Sequence, residues 1–147
     1  MKNPLFFCLL FLAFLNAPLK ARVIGLEEFE KTSVMAGHSF GPAGSYEYLT
    51  GVMIFGIEPN LSSNKMVCDL DLAPVDRRGL VISKSKFIVL QPKDPDKRNG
   101  IALIEVSNRG GKALLRYYNG ALTGQVRPNV PSDYGDEHLL KQGYTLV

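Results

Sequence analysis

After the first 21 residues, the order of apolar and polar positions indicates a chain that begins with strands and ends with short helices. Strand patterns occur at residues 22–29, 46–57, 67–73, 80–91 and 101–106. Residues 101–106 are almost uniformly apolar between turn residues, which is typical of a central strand buried on both faces. Residues 112–119 and 135–141 fit short helices, and residues 144–147 begin another strand. The pattern predicts an α/β fold that is mostly strand, with one or two short helices.

The first 21 residues have the features of a secretory signal peptide. Lys2 precedes an apolar run at residues 5–15, and small residues follow that run. The run is too short to span a bilayer as a helix, which takes roughly 20 residues. Cleavage after Ala21 would leave residues 22–147 as one domain at most. We therefore expect a secreted or periplasmic protein that keeps no stable membrane anchor after cleavage, and a chain too short for a complete α/β-hydrolase.

Charge and cysteine content narrow the function further. The chain has 17 basic and 14 acidic side chains, and two of the basic ones, Lys2 and Lys20, lie in the signal peptide. The remaining balance is close to neutral, so we expect no nucleic-acid partner. Removal of Cys8 with the signal leaves Cys68 as a single thiol, which can form neither an internal disulfide framework nor a cysteine zinc site.

A serine motif at residues 37–41 invites a catalytic interpretation. Gly-His-Ser-Phe-Gly matches G-x-S-x-G, and Asp133, Asp136 and His138 follow in the order of a catalytic triad. A nucleophile elbow needs a buried strand before the serine and a helix after it. The flanking sequence has neither, because a weak strand precedes Ser39 and turn residues follow it. We therefore interpret the motif as a glycine-rich turn and expect no catalytic residue among these side chains.

The acidic residues near position 70 do not define a metal site. Asp69, Asp71 and Asp76 lack the glycine and the closing glutamate of a calcium loop. The two histidines, His38 and His138, have no metal-site spacing. No metal and no cofactor is predicted.

The loop Asn108-Arg109-Gly110-Gly111 follows the predicted central strand and is the best candidate binding site. Ligands of open α/β sheets collect at the carboxyl ends of such strands, and glycines allow backbone N–H groups to turn towards an oxyanion. The alternative is an ordinary strand-to-helix turn, in which Arg109 pairs with Glu105 or Asp136. The sequence leaves both interpretations open.

Four motifs in the same order extend over nearly all of the chain beyond residue 21. They are Ser-Phe-Gly-Pro-Ala-Gly-Ser-Tyr-Glu at 39–47, Asp-Leu-Asp-Leu-Ala-Pro at 69–74, Glu-Val-Ser-Asn-Arg-Gly-Gly-Lys at 105–112 and Leu-Lys-Gln-Gly-Tyr-Thr-Leu-Val at 140–147. Together they resemble the opening of the alpha/beta hydrolase domain-containing proteins, a bacterial and often exported family.

The resemblance implies that this chain is the N-terminal part of an α/β-hydrolase-like domain, with the catalytic serine, acid and histidine further along. Asn108 to Gly111 would then form the loop beside the oxyanion hole, and residues 144–147 would be the next parallel strand. Because the chain stops inside a predicted strand, we expect a truncated hydrolase that is inactive alone. The alternative is a short edge strand that ends the protein. The intact protein would act on a small ester substrate, and its oligomeric state is not defined by the sequence.

The alternative function is a stand-alone exported binding module without catalytic activity. In that case a ligand or partner would lie on the aromatic strand face around Tyr46, Tyr48 and Phe55.

Overall fold

The computed structural model describes residues 21–107 and 113–147. Its strands are β1 (Ala21–Ser33), β2 (Tyr46–Ile57), β3 (Val81–Pro92), β4 (Ala102–Leu103) and β5 (Thr145–Leu146), and its α-helices are α1 (Leu114–Tyr118) and α2 (His138–Lys141). Single 3₁₀ turns lie at Val34–Gly37, Gly41–Ala43, Ser62–Asn64, Leu70–Leu72, Pro95–Lys97 and Pro131–Asp133. No helix in the described residues is long and apolar enough to cross a membrane.

The five strands form one sheet in the order β1-β2-β3-β5-β4. Strand β5 runs antiparallel to β3, with Leu90 opposite Leu146. It runs parallel to β4 on its other side, with Leu103 opposite Leu146. The sheet is therefore mixed, and its parallel part is a single pair of two-residue strands.

The described residues divide into two compact units, and the smaller one comprises residues 21–25 and 54–84. Leu70 and Leu80 are its buried apolar side chains. A Cβ added to Gly56 would come within 2.9 Å of the Leu80 side chain, so β2 can approach Leu80 this closely only with glycine at that position. Between its strand segments, residues 58–80 are mostly turns, and they expose apolar side chains such as Met66 and Leu72.

The larger unit comprises the described residues 26–53, 85–107 and 113–147 and holds the main hydrophobic core. Its largest fully buried apolar side chains include Phe40, Tyr46, Leu90, Tyr134 and Leu140. The rings of Phe40 and Tyr46 meet edge to face, with centroids 5.2 Å apart. The core therefore joins the 3₁₀ turns after β1 to strand β2 and to the helical segment before β5.

The predicted α/β fold class is wrong. The structure is a five-stranded, mostly strand sheet with few short helices, and it shows no α/β-hydrolase fold. The physical reason is the length of the helices, because α1 has five residues and α2 has four. Helices of about one turn cannot cover the faces of a parallel sheet, as the helices of an α/β fold do. The described residues form a β-rich domain.

Two segment predictions have opposite outcomes. The strand predicted at residues 67–73 is wrong, because Asp69 adopts a left-handed conformation (φ 58°) and the 3₁₀ turn Leu70–Leu72 follows it. The strand predicted after Gly143 is confirmed as β5, and its predicted parallel pairing is confirmed with β4. Gly143 has φ 76°, and an added Cβ there would lie 2.5 Å from the Lys97 carbonyl oxygen. Only glycine allows the chain to turn from α2 into β5 at this point.

Candidate functional site

The serine motif forms a turn between two 3₁₀ segments. Ser39 makes an isolated antiparallel bridge with Ser45, and its hydroxyl donates to the Gly41 carbonyl oxygen at 3.5 Å. The His38 ring contacts a different partner, since its Nε2 lies 3.2 Å from Oε1 of Glu137. No hydrogen bond joins Ser39 to a histidine within the described residues. The arrangement lacks the contact between nucleophile and base that activates a serine.

Asp133, the acid that follows the serine motif in sequence, has a structural role. Its buried carboxylate accepts hydrogen bonds from the Thr123 hydroxyl and from Arg127, whose Nε lies 2.8 Å from Oδ2 and whose Nη2 lies 2.9 Å from Oδ1. The bond from the Arg127 guanidinium holds the pKa of Asp133 below its usual value, against the opposing effect of burial. This network closes the irregular loop that carries the chain from α1 to α2.

The other two side chains of that candidate triad are also without a catalytic contact. The Asp136 carboxylate accepts from the backbone N–H of His138 at 2.9 Å, which caps the start of α2. No described hydrogen bond or ion pair joins the His138 ring to Ser39. The sequence-based interpretation of this motif as a turn agrees with this geometry.

The predicted binding loop, Asn108, Arg109, Gly110 and Gly111, lies outside the described residues. The residues on either side of it are described, and Glu105 links them. Its carboxylate accepts from the N–H of Ala113 at 2.7 and 2.8 Å and from the N–H of Leu114 at 2.9 Å. These two amides at the start of α1 are therefore occupied by the protein's own carboxylate. The roles predicted for the loop, including the pairing of Arg109, stay predictions.

The acidic residues near position 70 do not assemble. Asp76 accepts from the backbone N–H groups of Leu80 and Arg78 and from Arg78 Nε, which fixes the turn before β3. These bonds, with the one from Leu80 first, hold the pKa of Asp76 below its usual value. The described residues contain no group of three or more His, Cys, Asp or Glu side chains that could hold a metal ion.

Two of the three side chains suggested for an aromatic binding face, those of Tyr46 and Tyr48, are engaged by the protein itself, and the third, Phe55, is half-buried. Tyr46 is fully buried, and its hydroxyl donates to the carbonyl oxygens of Leu140 and Tyr144, both at 2.9 Å. The Tyr48 hydroxyl donates to the Val126 carbonyl oxygen at 3.0 Å. Burial raises the pKa of both tyrosines. These side chains hold β2 to the core and do not present a free surface.

Glu47, between the two tyrosines on β2, is a second buried carboxylate. Lys31 Nζ lies 2.7 Å from its Oε2, Gln91 Nε2 donates to its Oε1 at 2.6 Å, and Arg98 is 3.8 Å away. Burial alone would raise the pKa of Glu47, but the bonds from Lys31 and Gln91 and the two positive charges lower it overall. All its contacts are internal, so it is a structural tie between β1, β2 and β3.

An open apolar strand edge is the first feature that the sequence did not predict. Residues 101–106 were predicted to form a central strand buried on both faces, and this prediction is wrong. Strand β4 is the outermost strand, so its second edge has no strand partner among the described residues. Just after it, Ile104 is 71% exposed and Val106 is 95% exposed. A run of apolar residues indicates that a segment is suited to burial, but it does not indicate which part of the structure buries it.

The second feature is a polar cleft of about 390 Å³ in the smaller unit. It is lined by Arg22, Glu58, Asn60, Arg78, Gly79 and Leu80. The lining residues come from three separate parts of the sequence, so no local motif could have indicated the cleft. Its volume lies in the range of small-molecule sites, about 300–1,000 Å³.

Comparisons of this chain with protein-family models, curated proteins and solved structures gave no match. Its function is therefore argued from its own residues and geometry.

Proposed function

We propose that this chain is a non-catalytic, β-rich part of an exported ester hydrolase. In this proposal the catalytic serine, acid and histidine, which act on the small ester substrate, are not residues of this chain. The chain contributes a folded core and a strand edge on which the catalytic part is assembled, and it is inactive alone.

The observation that carries the proposal is the parallel pair of β4 and β5. The two strands are neighbours in the sheet and are joined by a crossover that contains α1 and α2. All-parallel sheets occur almost only where helices cover both faces, and this mixed sheet has one parallel pair. Strand β4 has an open edge and is followed by the exposed side chains of Ile104 and Val106. This favours the addition of a further strand at β4.

The geometry of the serine motif supports the non-catalytic part of the proposal. Ser39 bonds to a backbone carbonyl, and His38 pairs with Glu137. The burial of Tyr46 removes the surface on which a stand-alone aromatic binding module would depend.

The catalytic test uses a fluorophosphonate probe and hydrolysis of p-nitrophenyl butyrate. We expect the chain to show neither labelling nor turnover above that of its Ser39→Ala variant. Turnover that Ser39→Ala abolishes would show that the chain is itself an enzyme.

A separate test concerns the hydrolase to which the chain would belong. We expect the DNA that follows the Val147 codon to encode further strands and a G-x-S-x-G serine. The two polypeptides, produced together, should react with the fluorophosphonate probe. A downstream sequence without such a serine would contradict membership of a hydrolase and would leave the inactivity of this chain unaffected.

Export is tested by the mass of the protein recovered outside the cytoplasm. Cleavage after Ala21 predicts a protein that begins at Arg22. A protein that keeps residues 1–21 and stays in the cytoplasm would contradict this part of the proposal.

A further inference from the structure

We infer that the polar cleft of the smaller unit is a binding site for a small organic anion, and most favourably for a carboxylate that also carries a hydroxyl group. The inference concerns residues 22–25 and 54–84 alone. It goes beyond the proposed hydrolase function and does not depend on it.

Two guanidinium groups give the cleft its charge. Arg22 and Arg78 both line it. Arg22 forms no ion pair or hydrogen bond with any residue that the structure describes, so its charge is available to a ligand. Guanidinium groups bind carboxylates through paired, charge-assisted hydrogen bonds, which are about twice as strong as neutral ones.

Arg78 is held in place before any ligand arrives. Its Nε donates to Oδ2 of Asp76 at 2.8 Å, and Oδ1 of Asp76 accepts from the backbone N–H groups of Arg78 and Leu80. The Asp76 bond uses Nε, and no described hydrogen bond involves the two terminal nitrogens of Arg78. A fixed guanidinium loses less conformational entropy on binding than a free side chain, which favours affinity.

The remaining lining residues select the ligand. Glu58 accepts hydrogen bonds and carries a negative charge. A ligand therefore binds more tightly if it donates a hydrogen bond to Glu58, and less tightly if it places a negative charge beside it. Asn60 offers both donor and acceptor atoms. Asp76 already pairs with Arg78, so the unpaired positive charge that the cleft offers an anion is that of Arg22. A hydroxycarboxylate meets all of these groups, because its carboxylate faces the arginines and its hydroxyl faces Glu58.

The experiment is an NMR titration of the ¹⁵N-labelled chain with three probes of similar size. L-lactate is the hydroxycarboxylate, inorganic phosphate is an anion without a carbon frame, and lactamide is the neutral counterpart of lactate. We expect lactate to shift the amide signals of Asn60 and Gly79 in a saturable manner, phosphate to do so more weakly, and lactamide to leave them unchanged. Equal shifts with lactamide, or shifts that never saturate, would overturn the inference.

Variants separate a defined site from general charge attraction. We expect Arg22→Gln and Arg78→Gln each to weaken lactate binding at least about tenfold, which is the usual loss for a charge-assisted hydrogen bond. Arg77→Gln is the matched control, since it removes the same charge from an exposed neighbour that does not line the cleft. Glu58→Gln should strengthen phosphate binding, because it removes a like charge.

The Arg22 variant decides the outcome if Arg78→Gln disturbs the turn. The Arg22 side chain has no hydrogen bond or ion pair with any described residue, so its replacement removes none from the fold. Unchanged lactate binding in Arg22→Gln, or an equal loss in Arg77→Gln, would show that the cleft is not the site.

Discussion

Strand β1 at one edge of the sheet and strand β5 inside the sheet contribute in opposite ways. Strand β1 is thirteen residues long, and none of its side chains is buried; Leu26, for example, is 56% exposed. Strand β5 has two residues, yet Leu146 is only 5% exposed and lies in the main core. The short strand contributes apolar burial and the long one contributes mainly backbone pairing. The length of a strand therefore does not indicate how much apolar surface the strand buries.

The two outer edges differ in the same way. Strand β1 carries Glu27, Glu28, Glu30 and Lys31, and Glu28 interrupts it with a left-handed conformation (φ 52°). Charges and local irregularity are the usual protection of an exposed strand edge. Strand β4 carries no charge at Ala102 or Leu103, and the exposed Ile104 follows it, so its protection is limited to its length of two residues. The contrast supports the proposal that a further strand pairs with β4 and not with β1.

The largest effect is expected for the core residue of β5. Leu146→Ala should lower the free energy of unfolding by roughly 2–5 kcal/mol, because it removes buried methyl groups and leaves a cavity. Leu26→Ala makes the same chemical change on β1 and should cost less than about 0.5 kcal/mol. Urea denaturation of both variants measures the difference. Equal losses would remove the distinction between the two strands.

The next effect concerns the crossover that leads to β5. Asp133→Asn replaces a buried carboxylate that accepts charge-assisted bonds from Arg127, and it should cost roughly 2–3 kcal/mol at neutral pH. The exposed Asp71→Asn is the control and should change little. Chemical denaturation at pH 7 gives both values, and a loss no greater than that of the control would mean that the crossover needs no ion pair.

The pH dependence of the same residue has a defined sign. The pKa of Asp133 is lower in the folded protein than in the unfolded chain, so the folded state binds fewer protons. Its stabilising contribution is present above about pH 4, near the pKa of an unperturbed aspartate, and is lost as the pH falls through the folded pKa. Unfolding free energies measured from pH 7 down to pH 2 should therefore fall less steeply in Asp133→Asn than in the unchanged protein. A variant as acid-sensitive as the parent would assign the effect to other carboxylates.

The smallest effect is expected for the polar tie of β1. Lys31→Met removes one partner of Glu47, but Gln91 and Arg98 remain, and the lysine side chain is more than half exposed. An exposed ion pair contributes about 0.2–1 kcal/mol, and the loss should lie in that range. Thermal unfolding at low and high salt measures it. A loss above that of Leu146→Ala would show that β1 depends on charge far more than its exposure suggests.

The sequence predicts most of the strands, because their formation depends mainly on residues that are close together in the sequence. Residues 46–57 carry aromatic and β-branched side chains that fit a pleated, half-buried surface, and β2 has these bounds. Gly143 marked the end of α2 because the turn into β5 requires a positive φ. Apolar and polar residues alternate at positions 67–73, as in a strand, but the left-handed conformation of Asp69 interrupts the extended backbone. Alternation alone does not predict such a turn.

The two features on which the proposals rest depend on residues that are far apart in the sequence. The exposure of Ile104 depends on the position of β4 in the sheet, and strand order is a long-range property. The cleft joins Arg22 to Glu58 and Arg78, which are far apart in sequence. The predicted α/β fold class is wrong because it depends on a buried-strand pattern and two short helical segments. Both patterns also fit a larger α/β sheet, so they do not distinguish that fold from this one. The predicted helices were present only as single turns, too short for that architecture.

The central claim is that the β4 edge accepts another strand, and sedimentation velocity over a range of protein concentrations tests it most directly. An uncharged, exposed strand edge favours pairing with a second copy when its natural neighbour is absent. We predict that the chain associates as its concentration rises, that Ile104→Lys abolishes this association, and that Leu26→Lys on β1 leaves it unchanged. A protein that stays monomeric at every concentration, or one whose association is lost equally in Leu26→Lys, would contradict the claim.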